Sequence, residues 1–193
     1  MSQDRFELTP PVLLIAMPQV RDPDFLRSVV LLIEHTEEGS FGLVLNRVAP
    51  LQVREILKGL ELAWQGDSAS LAHFGGPVQQ QLGTVLYGGQ PLGPPEASRE
   101  LAAGLSLTQH LEVLDLLAKT PPSDLRLFLG YAGWDDGQLI SEIQRNDWLT
   151  TPLPPDFVFS DEPETMWEEA VRAAGVDPAR LAWSQPADGD TAN

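Results

Sequence analysis

The chain has 193 residues, of which 42% are apolar and 21% are charged, and this composition is typical of a folded globular protein rather than a disordered or membrane-spanning one. It contains no cysteine, which excludes disulfides, thiolate nucleophiles and cysteine-ligated zinc or iron–sulfur centres. Its formal net charge is −16, which disfavours partners that are themselves polyanions.

The negative charge is concentrated in the C-terminal two thirds of the chain. Residues 1–59 carry six basic and eight acidic side chains, a balance of −2, whereas residues 60–193 carry six basic and twenty acidic side chains, a balance of −14. Affinity for nucleic acid comes largely from basic side chains that neutralise phosphates. We therefore expect no direct binding to nucleic acid, and we interpret the acidity as a contribution to solubility.

Residues 1–183 are expected to form one domain, because a chain of this length is close to the usual size of a single folded unit. Residues 184–193 contain no large apolar side chain and are expected to fray. Apolar stretches such as Val29–Ile33 are far shorter than the roughly 20 residues that cross a bilayer. The start of the chain shows no export signal, so we expect a cytoplasmic protein without a membrane partner.

The first half of the chain predicts strands around a single helix. An apolar run at 12–17 is typical of a buried strand. Ser28–His35 and Phe41–Arg47 predict a hairpin closed by a five-residue loop, Thr36–Ser40. The other elements predicted in this half are a helix at 51–60, strands at 71–74 and 82–87, and a turn at Gly75, Gly76 and Pro77 between these two strands.

The second half predicts helices separated by single strands. Thr108 is the expected N-cap of a helix that ends at Lys119. A strand at 125–129 is expected to lead through a turn at Gly130–Gly133 into a helix over about 136–146. Hairpins and helices are interspersed, which favours an α+β or mixed α/β fold. The last elements are a short strand at 157–159 and a helix from Pro163 to Gly175, with Ser160 and Asp161 as candidate caps.

Motifs that define common enzyme classes are absent from the sequence. It has no P-loop, no G-x-G-x-x-G after a strand, no G-x-S-x-G elbow and no H-E-x-x-H. The three histidines, His35, His73 and His110, do not stand in a spacing that specifies a metal. We therefore predict no catalytic residue, no metal site and no cofactor.

The turn at Gly75, Gly76 and Pro77 is a candidate binding element. Backbone N–H groups of such a turn can hold an anion, although most Gly-Gly turns only reverse the chain. His73 precedes this turn.

A polar stripe on the helix at 136–146 is a second candidate. Gln138, Glu142 and Asn146 recur every four residues and share a face, and Trp134 and Trp148 flank the helix. The stripe is either solvated surface or the rim of a groove that binds a ligand or a partner chain. In either case, replacing Gln138 and Glu142 by alanine is expected to cost under about 0.5 kcal/mol.

The open end of the first hairpin is a third candidate. In the predicted register Arg27 shares a face of the sheet with Arg47, and Ser28 shares the other face with Asn46. Two adjacent arginines repel unless an anion lies between them, and the guanidinium fork suits carboxylate or phosphate. The anion is either a small ligand or an internal carboxylate. The internal candidates are Asp22, Asp24 and Glu142.

Four segments in fixed order resemble the YqgE/AlgH family of bacterial proteins. The matching segments are LLIAMPQVRDPDFLRSVVLLIEHTEEGSFGLVLNR, FGGPVQQQLGTVLY, LGYAGWDDGQLISEIQRNDWL and FVFSDEPETMWEEAVRAAGVD, and together they cover most of the chain from about Leu13 to Asp177. The resemblance implies a mixed fold with a bifurcated sheet curled into a pseudo-barrel, a cytoplasmic location and no established catalytic activity.

This chain departs from the family pattern at three positions. The family often has arginine and histidine in an RG-x-x-LH stretch, where this chain has Leu82 and Tyr87. It commonly has glutamate where Ile140 stands. No function is carried over at these positions, and the label of transcriptional regulator given to one branch of the family has no DNA-reading element to support it here.

Three functions are compatible with these observations. The first is a non-enzymatic binding or regulatory module that acts through a protein partner or a small anionic ligand. The second is a hydrolase or another small-molecule enzyme whose site carries no recognisable motif. The third, a direct DNA binder, is opposed by the charge. We favour the first, and nothing in the sequence specifies an oligomeric state.

Overall fold

The described part of the chain folds into ten strands and four α-helices. The structure, a computed structural model, describes residues 8–160 and 162–181. The helices are Val53–Gly59 (α1), Leu111–Lys119 (α2), Gln138–Gln144 (α3) and Pro163–Ala173 (α4), with short 3-10 turns at Phe157–Phe159 and Pro178–Arg180. The strands are Val12–Ala16 (β1), Val29–Thr36 (β2), Gly39–Val44 (β3), Val48–Gln52 (β4), Leu71–Phe74 (β5), Val78–Gly88 (β6), Ser98–Ala102 (β7), Leu105–Thr108 (β8), Leu125–Asp135 (β9) and Trp148–Pro152 (β10).

The ten strands form one sheet that branches at β9. The main path runs β10-β1-β2-β3-β9-β6-β8-β7, with antiparallel pairing throughout. β3 pairs with the end of β9, Gly39 opposite Asp135, while β5 pairs in parallel with its middle, His73 opposite Phe128. β4 joins through β5. The predicted α+β class is confirmed: the sheet is curled, bifurcated and mostly antiparallel, and helices flank it.

Three apolar clusters bury the faces of this sheet. The stripe of α4, which includes Met166 and Trp167, packs with β1, β2 and the middle of β9. Its i, i+3, i+4 spacing is the pattern that predicted the helix. Leu57 of α1 and Leu117 of α2 are buried in the cluster over the β5-β6-β9 branch. The third cluster surrounds Trp134 at the end of β9.

The first hairpin is confirmed, but its loop is shorter than predicted. β2 and β3 extend to Thr36 and Gly39, which leaves two residues in the turn rather than five. His35 consequently pairs with Ser40 and not with Phe41. Two-residue turns match the natural twist of paired strands, which explains why the pairing of β2 with β3 continues up to Thr36 and Gly39.

A bulge changes the hairpin register a second time. The pairing shifts between Leu32 and Glu34, so Val30 lies opposite Val44 instead of the predicted Asn46. An extra residue in one strand is the defining feature of a bulge. On the open side of the bulge the two shifts add to two residues, which preserves the predicted face relation of Val30 and Val44. On the turn side, Glu34–Thr36 is displaced by one residue and changes face relative to β3.

β9 is much longer than the predicted strand at 125–129. It continues to Asp135, and the turn expected at Gly130–Gly133 does not form. Gly130 has φ 69°, and a Cβ there would lie 2.4 Å from the carbonyl oxygen of Gly76. The glycine therefore permits a close approach of two backbone segments inside a strand, rather than a reversal of the chain.

Other boundaries also differ from the predictions. Phe157–Phe159 is a 3-10 turn and not a strand, and it follows Asp156, which has φ 58°. α2 begins at Leu111 with His110 as its N-cap, not at Thr108. Sequence reasoning did not identify β4, β7, β8 or β10. The N-cap of α4 is Glu162, while the candidate cap Asp161 and the tail 184–193 lie outside the described residues.

Among residues 8–160 and 162–181, no helix combines the length and apolar character needed to cross a membrane.

Candidate functional site

Glu142 holds two tryptophans together where β9, α3 and β10 meet. Its Oε2 accepts hydrogen bonds from Nε1 of Trp134 at 2.9 Å and Nε1 of Trp148 at 2.8 Å. The two buried rings meet edge to face with centroids 5.8 Å apart, and Phe25 packs against both. Gln138 donates to the other carboxylate oxygen at 2.8 Å. This carboxylate therefore links the helix to both strands.

The predicted polar stripe is broken by the end of α3. The helix stops at Gln144, and Asn146 has φ 62°, outside the helix. The carbonyl of Asn146 accepts a hydrogen bond from Gln19. Gln138 uses its Oε1 to accept from the backbone N–H of Asp135 at 3.0 Å. Gln138 and Glu142 thus direct polar atoms at other residues of this chain, while the side chain of Gln138 also remains exposed to solvent.

The two arginines at the open end of the hairpin also contact this chain. Arg27 lies over the ring of Trp167, 4.7 Å from its centroid, and its Nη2 is 3.4 Å from Oε1 of Glu168. Nη2 of Arg47 donates to the carbonyl of Leu26 at 2.9 Å. The carboxylate beside Arg27 comes from α4 and is none of the three proposed from the sequence.

Asn46 ties the start of β2 to the segment after β3. Its Oδ1 accepts from the N–H of Val29 at 2.8 Å, and its Nδ2 donates to the carbonyl of Arg27 at 2.9 Å. Arg27 has φ 54°, a conformation that is uncommon for a residue with a side chain. Ser28 beside it is fully buried, and its hydroxyl has no hydrogen-bond partner among the described residues.

We expect Asn46→Ala to lower the free energy of unfolding by about 1.5 kcal/mol, because both ends of its amide replace missing backbone partners. Urea denaturation followed by circular dichroism measures the change. Gln81→Ala, an exposed amide on β6, is the matched control. Equal stability of the two variants would contradict this role for Asn46.

The Gly-Gly turn packs against β9. A Cβ at Gly75 would lie 2.3 Å from the carbonyl oxygen of Gly130, and a Cβ at Gly76 would lie 2.1 Å from the carbonyl carbon of Tyr131. The N–H of Gly75 already donates to the carbonyl of Leu129 at 2.8 Å. Close backbone packing therefore accounts for both glycines ahead of Pro77.

A cleft of about 550 Å³ lies beside β5, and it was not predicted from the sequence. It is bordered by β4, the loop after α1, the first residues of β9 and the first residue of α4, Pro163. Its polar side chains are Asp67, Ser70, His73, Ser123 and Arg126. Its larger apolar side chains are Val48, Val53, Trp64, Leu71, Leu125 and Leu127.

His73 is a buried histidine in the wall of this cleft. It is only 8% exposed, its ring lies 5.2 Å from that of Phe128, and its Nδ1 has no hydrogen-bond partner among the described residues. Burial, and next the charge of Arg126, lower the pKa of His73 from 6.5 to about 4, and the backbone of Leu45 opposes this shift only in part. The imidazole is therefore neutral near pH 7.

Arg126 is the buried cation of the same wall. It is 9% exposed, it lies opposite Leu86 in the pairing of β6 with β9, and its Nη2 donates to the carbonyl of Ser160. Buried guanidinium groups are rare without compensating contacts. Arg126 and His73 together place two buried, nitrogen-bearing side chains in the wall of the cleft.

Trp64 supplies a fixed aromatic wall. Its Nε1 donates to the carbonyl of Asp67 at 2.8 Å. A Cβ at Gly66 would lie 2.2 Å from the indole, so the ring folds over this glycine. A hydrogen bond on one side and a glycine on the other hold the ring in place.

Sequence reasoning noted His73 only as the neighbour of the glycine turn, and it did not identify Trp64 or Arg126. A signal for Arg126 exists in the strand LRLFL, where an arginine interrupts an apolar run of the kind that is buried on both faces. No local pattern brings Trp64 to this place, because the loop that carries it meets β9 only through the tertiary fold.

Comparison with known proteins identifies the family. The sequence model of the DUF179 family, described as AlgH-like, matches residues 13–179. The chain belongs to the AlgH-like family. It is 43% identical over 172 residues to a UPF0301 protein of Myxococcus xanthus, which covers 89% of this chain and 93% of that protein. A UPF0301 protein of Thioalkalivibrio sulfidiphilus is 38% identical over 166 residues, covering 85% and 88% of the two chains.

Two solved structures have the same fold as this chain. The solution structure of AlgH from Pseudomonas aeruginosa matches with a TM-score of 0.72 at 33% identity and covers 98% of this chain and all of that one. A crystal structure of a Corynebacterium diphtheriae protein matches with a TM-score of 0.70 at 28% identity over 88% of this chain and 89% of that one. The resemblance stated from the sequence is thereby confirmed.

Proposed function

We propose that this AlgH-like protein is a non-enzymatic, cytoplasmic binding module that holds a small ligand in the cleft beside His73. One observation carries the proposal: a histidine that is more than nine-tenths buried lines a cleft of about 550 Å³ while its Nδ1 has no hydrogen bond among the described residues. A buried polar group without a partner costs about 1–3 kcal/mol, and a ligand that supplies the partner recovers this cost. The volume is within the usual range for small-molecule sites.

The alternative of an enzyme is less well supported by this site. A general base works best when its pKa is close to the operating pH, whereas that of His73 is lowered to about 4. An activated nucleophile also requires a hydrogen bond from its hydroxyl to the base. Nδ1 of His73 accepts no such bond from the described residues. Binding without chemistry is the function that these two facts favour.

A regulatory role would act through the bound ligand or through protein contacts. Residues 60–193, which include most of the cleft, have a balance of −14 and offer no basic face to duplex DNA. We expect no shift of duplex DNA in a gel assay at low salt, and a salt-sensitive complex would contradict this.

Thermal-shift screening of the full chain tests the proposed function. A ligand that binds only the folded state raises the melting temperature, by an amount that grows with its concentration. We expect hits in a library of metabolites, anions and divalent ions, and we expect these hits to be lost or weakened in Trp64→Leu but kept in His110→Gln, which alters an exposed histidine outside the cleft. A library without any hit, or hits that Trp64→Leu leaves intact, would overturn the proposal.

A further inference from the structure

We infer that the cleft takes an amphiphilic oxyanion, a small molecule whose carboxylate or phosphate group lies at His73 and Arg126 and whose ring or apolar part lies against Trp64. This inference rests on the proposed function, since it assigns a chemical class to the ligand of the same site.

Two nitrogen-bearing side chains, His73 and Arg126, lie close together in the wall of the cleft. His73 on β5 and Arg126 on β9 are neighbours across the branch of the sheet, because β5 pairs with β9 at Phe128, two residues from Arg126. Both line the cleft, and both are more than nine-tenths buried. Burial, and next the positive charge of Arg126, lower the pKa of His73 and disfavour a second positive charge there. An anion between them would interact favourably with Arg126 and with a protonated ring.

The electrostatic field inside the cleft also favours an anion. The cleft is bordered by Pro163, the first residue of α4, a helix of 11 residues. The N-terminus of a helix carries a partial positive charge that favours anions. Asp67 is the carboxylate among the lining residues, and its Oδ1 accepts from the N–H of Ala69 at 2.9 Å, within its own exposed turn. Glu162 and Glu164 at the start of α4 are exposed and do not line the cleft, so the positive charge of Arg126 and the helix terminus act at its buried end.

The cleft is too large for an anion alone, and the rest of its wall is apolar. A bare inorganic anion occupies only a small part of about 550 Å³. The rest of the wall is apolar and includes the fixed indole of Trp64, with Val53, Leu125 and Leu127. Aromatic rings stack on such a surface with a gain of about 0.5–1.5 kcal/mol beyond their burial. The ligand is thus an oxyanion with an apolar body, and not phosphate or sulfate alone.

Proton uptake by His73 sets the pH dependence of binding. The ring is neutral in the empty protein near pH 7, and an adjacent anion favours the charged form, which raises its pKa. Affinity for the oxyanion should therefore increase as the pH falls toward about 5.5. Asp67 and Arg126 are the other titratable groups in the wall, and Arg126 stays charged throughout this range.

Four probes separate the contributions: benzoate, phenyl phosphate, the neutral isostere benzamide, and inorganic phosphate. Titration into the 15N-labelled full chain follows the indole N–H of Trp64 and the ring of His73 by NMR. We expect benzoate or phenyl phosphate to shift both signals at millimolar concentration. Benzamide should bind about tenfold weaker because it lacks the charge, and one charge-assisted hydrogen bond is worth about that factor. Inorganic phosphate should also bind about tenfold weaker because it lacks the ring that packs against Trp64. Tighter binding of benzoate would indicate a carboxylate ligand, and tighter binding of phenyl phosphate would indicate a phosphate ligand.

Variants supply the second readout. His73→Gln should weaken the better anion about tenfold, and it should remove the pH dependence of benzoate affinity between about pH 7 and pH 5.5, where benzoate itself stays ionised. Arg126→Gln should weaken it as well, and circular dichroism shows whether this buried substitution still folds. His110→Gln is the control and should bind as the parent does. If Arg126→Gln does not fold, the affinity of His73→Gln for the anion provides the test.

The outcomes separate this inference from the proposed function. Benzamide that binds as well as benzoate, or an anion affinity that His73→Gln leaves unchanged, would overturn the oxyanion inference while a ligand-binding cleft still stands. Failure of every probe to shift the Trp64 signal overturns the inference, and the wider thermal-shift library then decides the proposed function separately.

Discussion

Replacing Glu142 with alanine is expected to lower the free energy of unfolding by about 3 kcal/mol, because two indole N–H groups lose a charged acceptor. Trp134 and Trp148 are both buried, so their N–H groups have limited access to water in its place. This is several times the cost of under about 0.5 kcal/mol predicted from the sequence for an exposed position. Urea denaturation monitored by tryptophan fluorescence measures it.

Two further variants control this measurement. Gln144→Ala on the same helix removes an exposed amide and should cost under about 0.5 kcal/mol. Glu142→Gln removes the same charge but keeps one acceptor oxygen, so it should cost about half as much as the alanine variant. A Glu142→Ala protein as stable as Gln144→Ala would show that the indoles do not depend on the carboxylate.

Stability should fall with acidification partly because of His73, by about 2 kcal/mol between pH 8 and pH 5. The folded-state pKa is lowered to about 4, below the value of 6.5 for the unfolded chain. The unfolded chain therefore takes up the proton first as the pH falls, and the stability that is fully present above about 6.5 is progressively lost toward about 4. Denaturation curves at several pH values measure this contribution.

The comparison with His73→Gln isolates the histidine from the many carboxylates that also titrate in acid. The variant should lose about 2 kcal/mol less than the parent over the same interval, and the same substitution at the exposed His110 controls for removal of a histidine. Identical pH profiles for the parent and His73→Gln would contradict the burial of an uncharged ring at this site.

Local patterns predicted most of the elements but not how they pair. The alternation and apolar runs of β1, β2 and β3, and the helical spacing in α4, depend on neighbours in sequence and were recognised. The hairpin register was wrong by two residues, one from the shorter turn and one from the bulge after Leu32, and the alternation of apolar residues marks neither feature. β9 was cut short at Leu129 because Gly130 suggests a turn, whereas its freedom serves the close approach of Gly76.

In the candidate sites, too, the features that depend on neighbours in sequence were predicted and the contacts between distant segments were not. The stripe of Gln138 and Glu142 was visible at four-residue spacing, but that spacing could not show that Trp134 and Trp148 turn their N–H groups to the same carboxylate oxygen. The cleft gathers His73, Arg126 and Trp64 from distant parts of the chain. Only the parallel pairing of β5 with β9 makes the first two neighbours.

The most direct test of the cleft is a crystal structure of the full chain soaked with 4-bromobenzoate, whose bromine can be located by anomalous scattering. We expect bromine density against Trp64, and carboxylate density within hydrogen-bonding distance of His73. Bromine sites confined to other surfaces, with the cleft beside His73 holding only solvent, would contradict it.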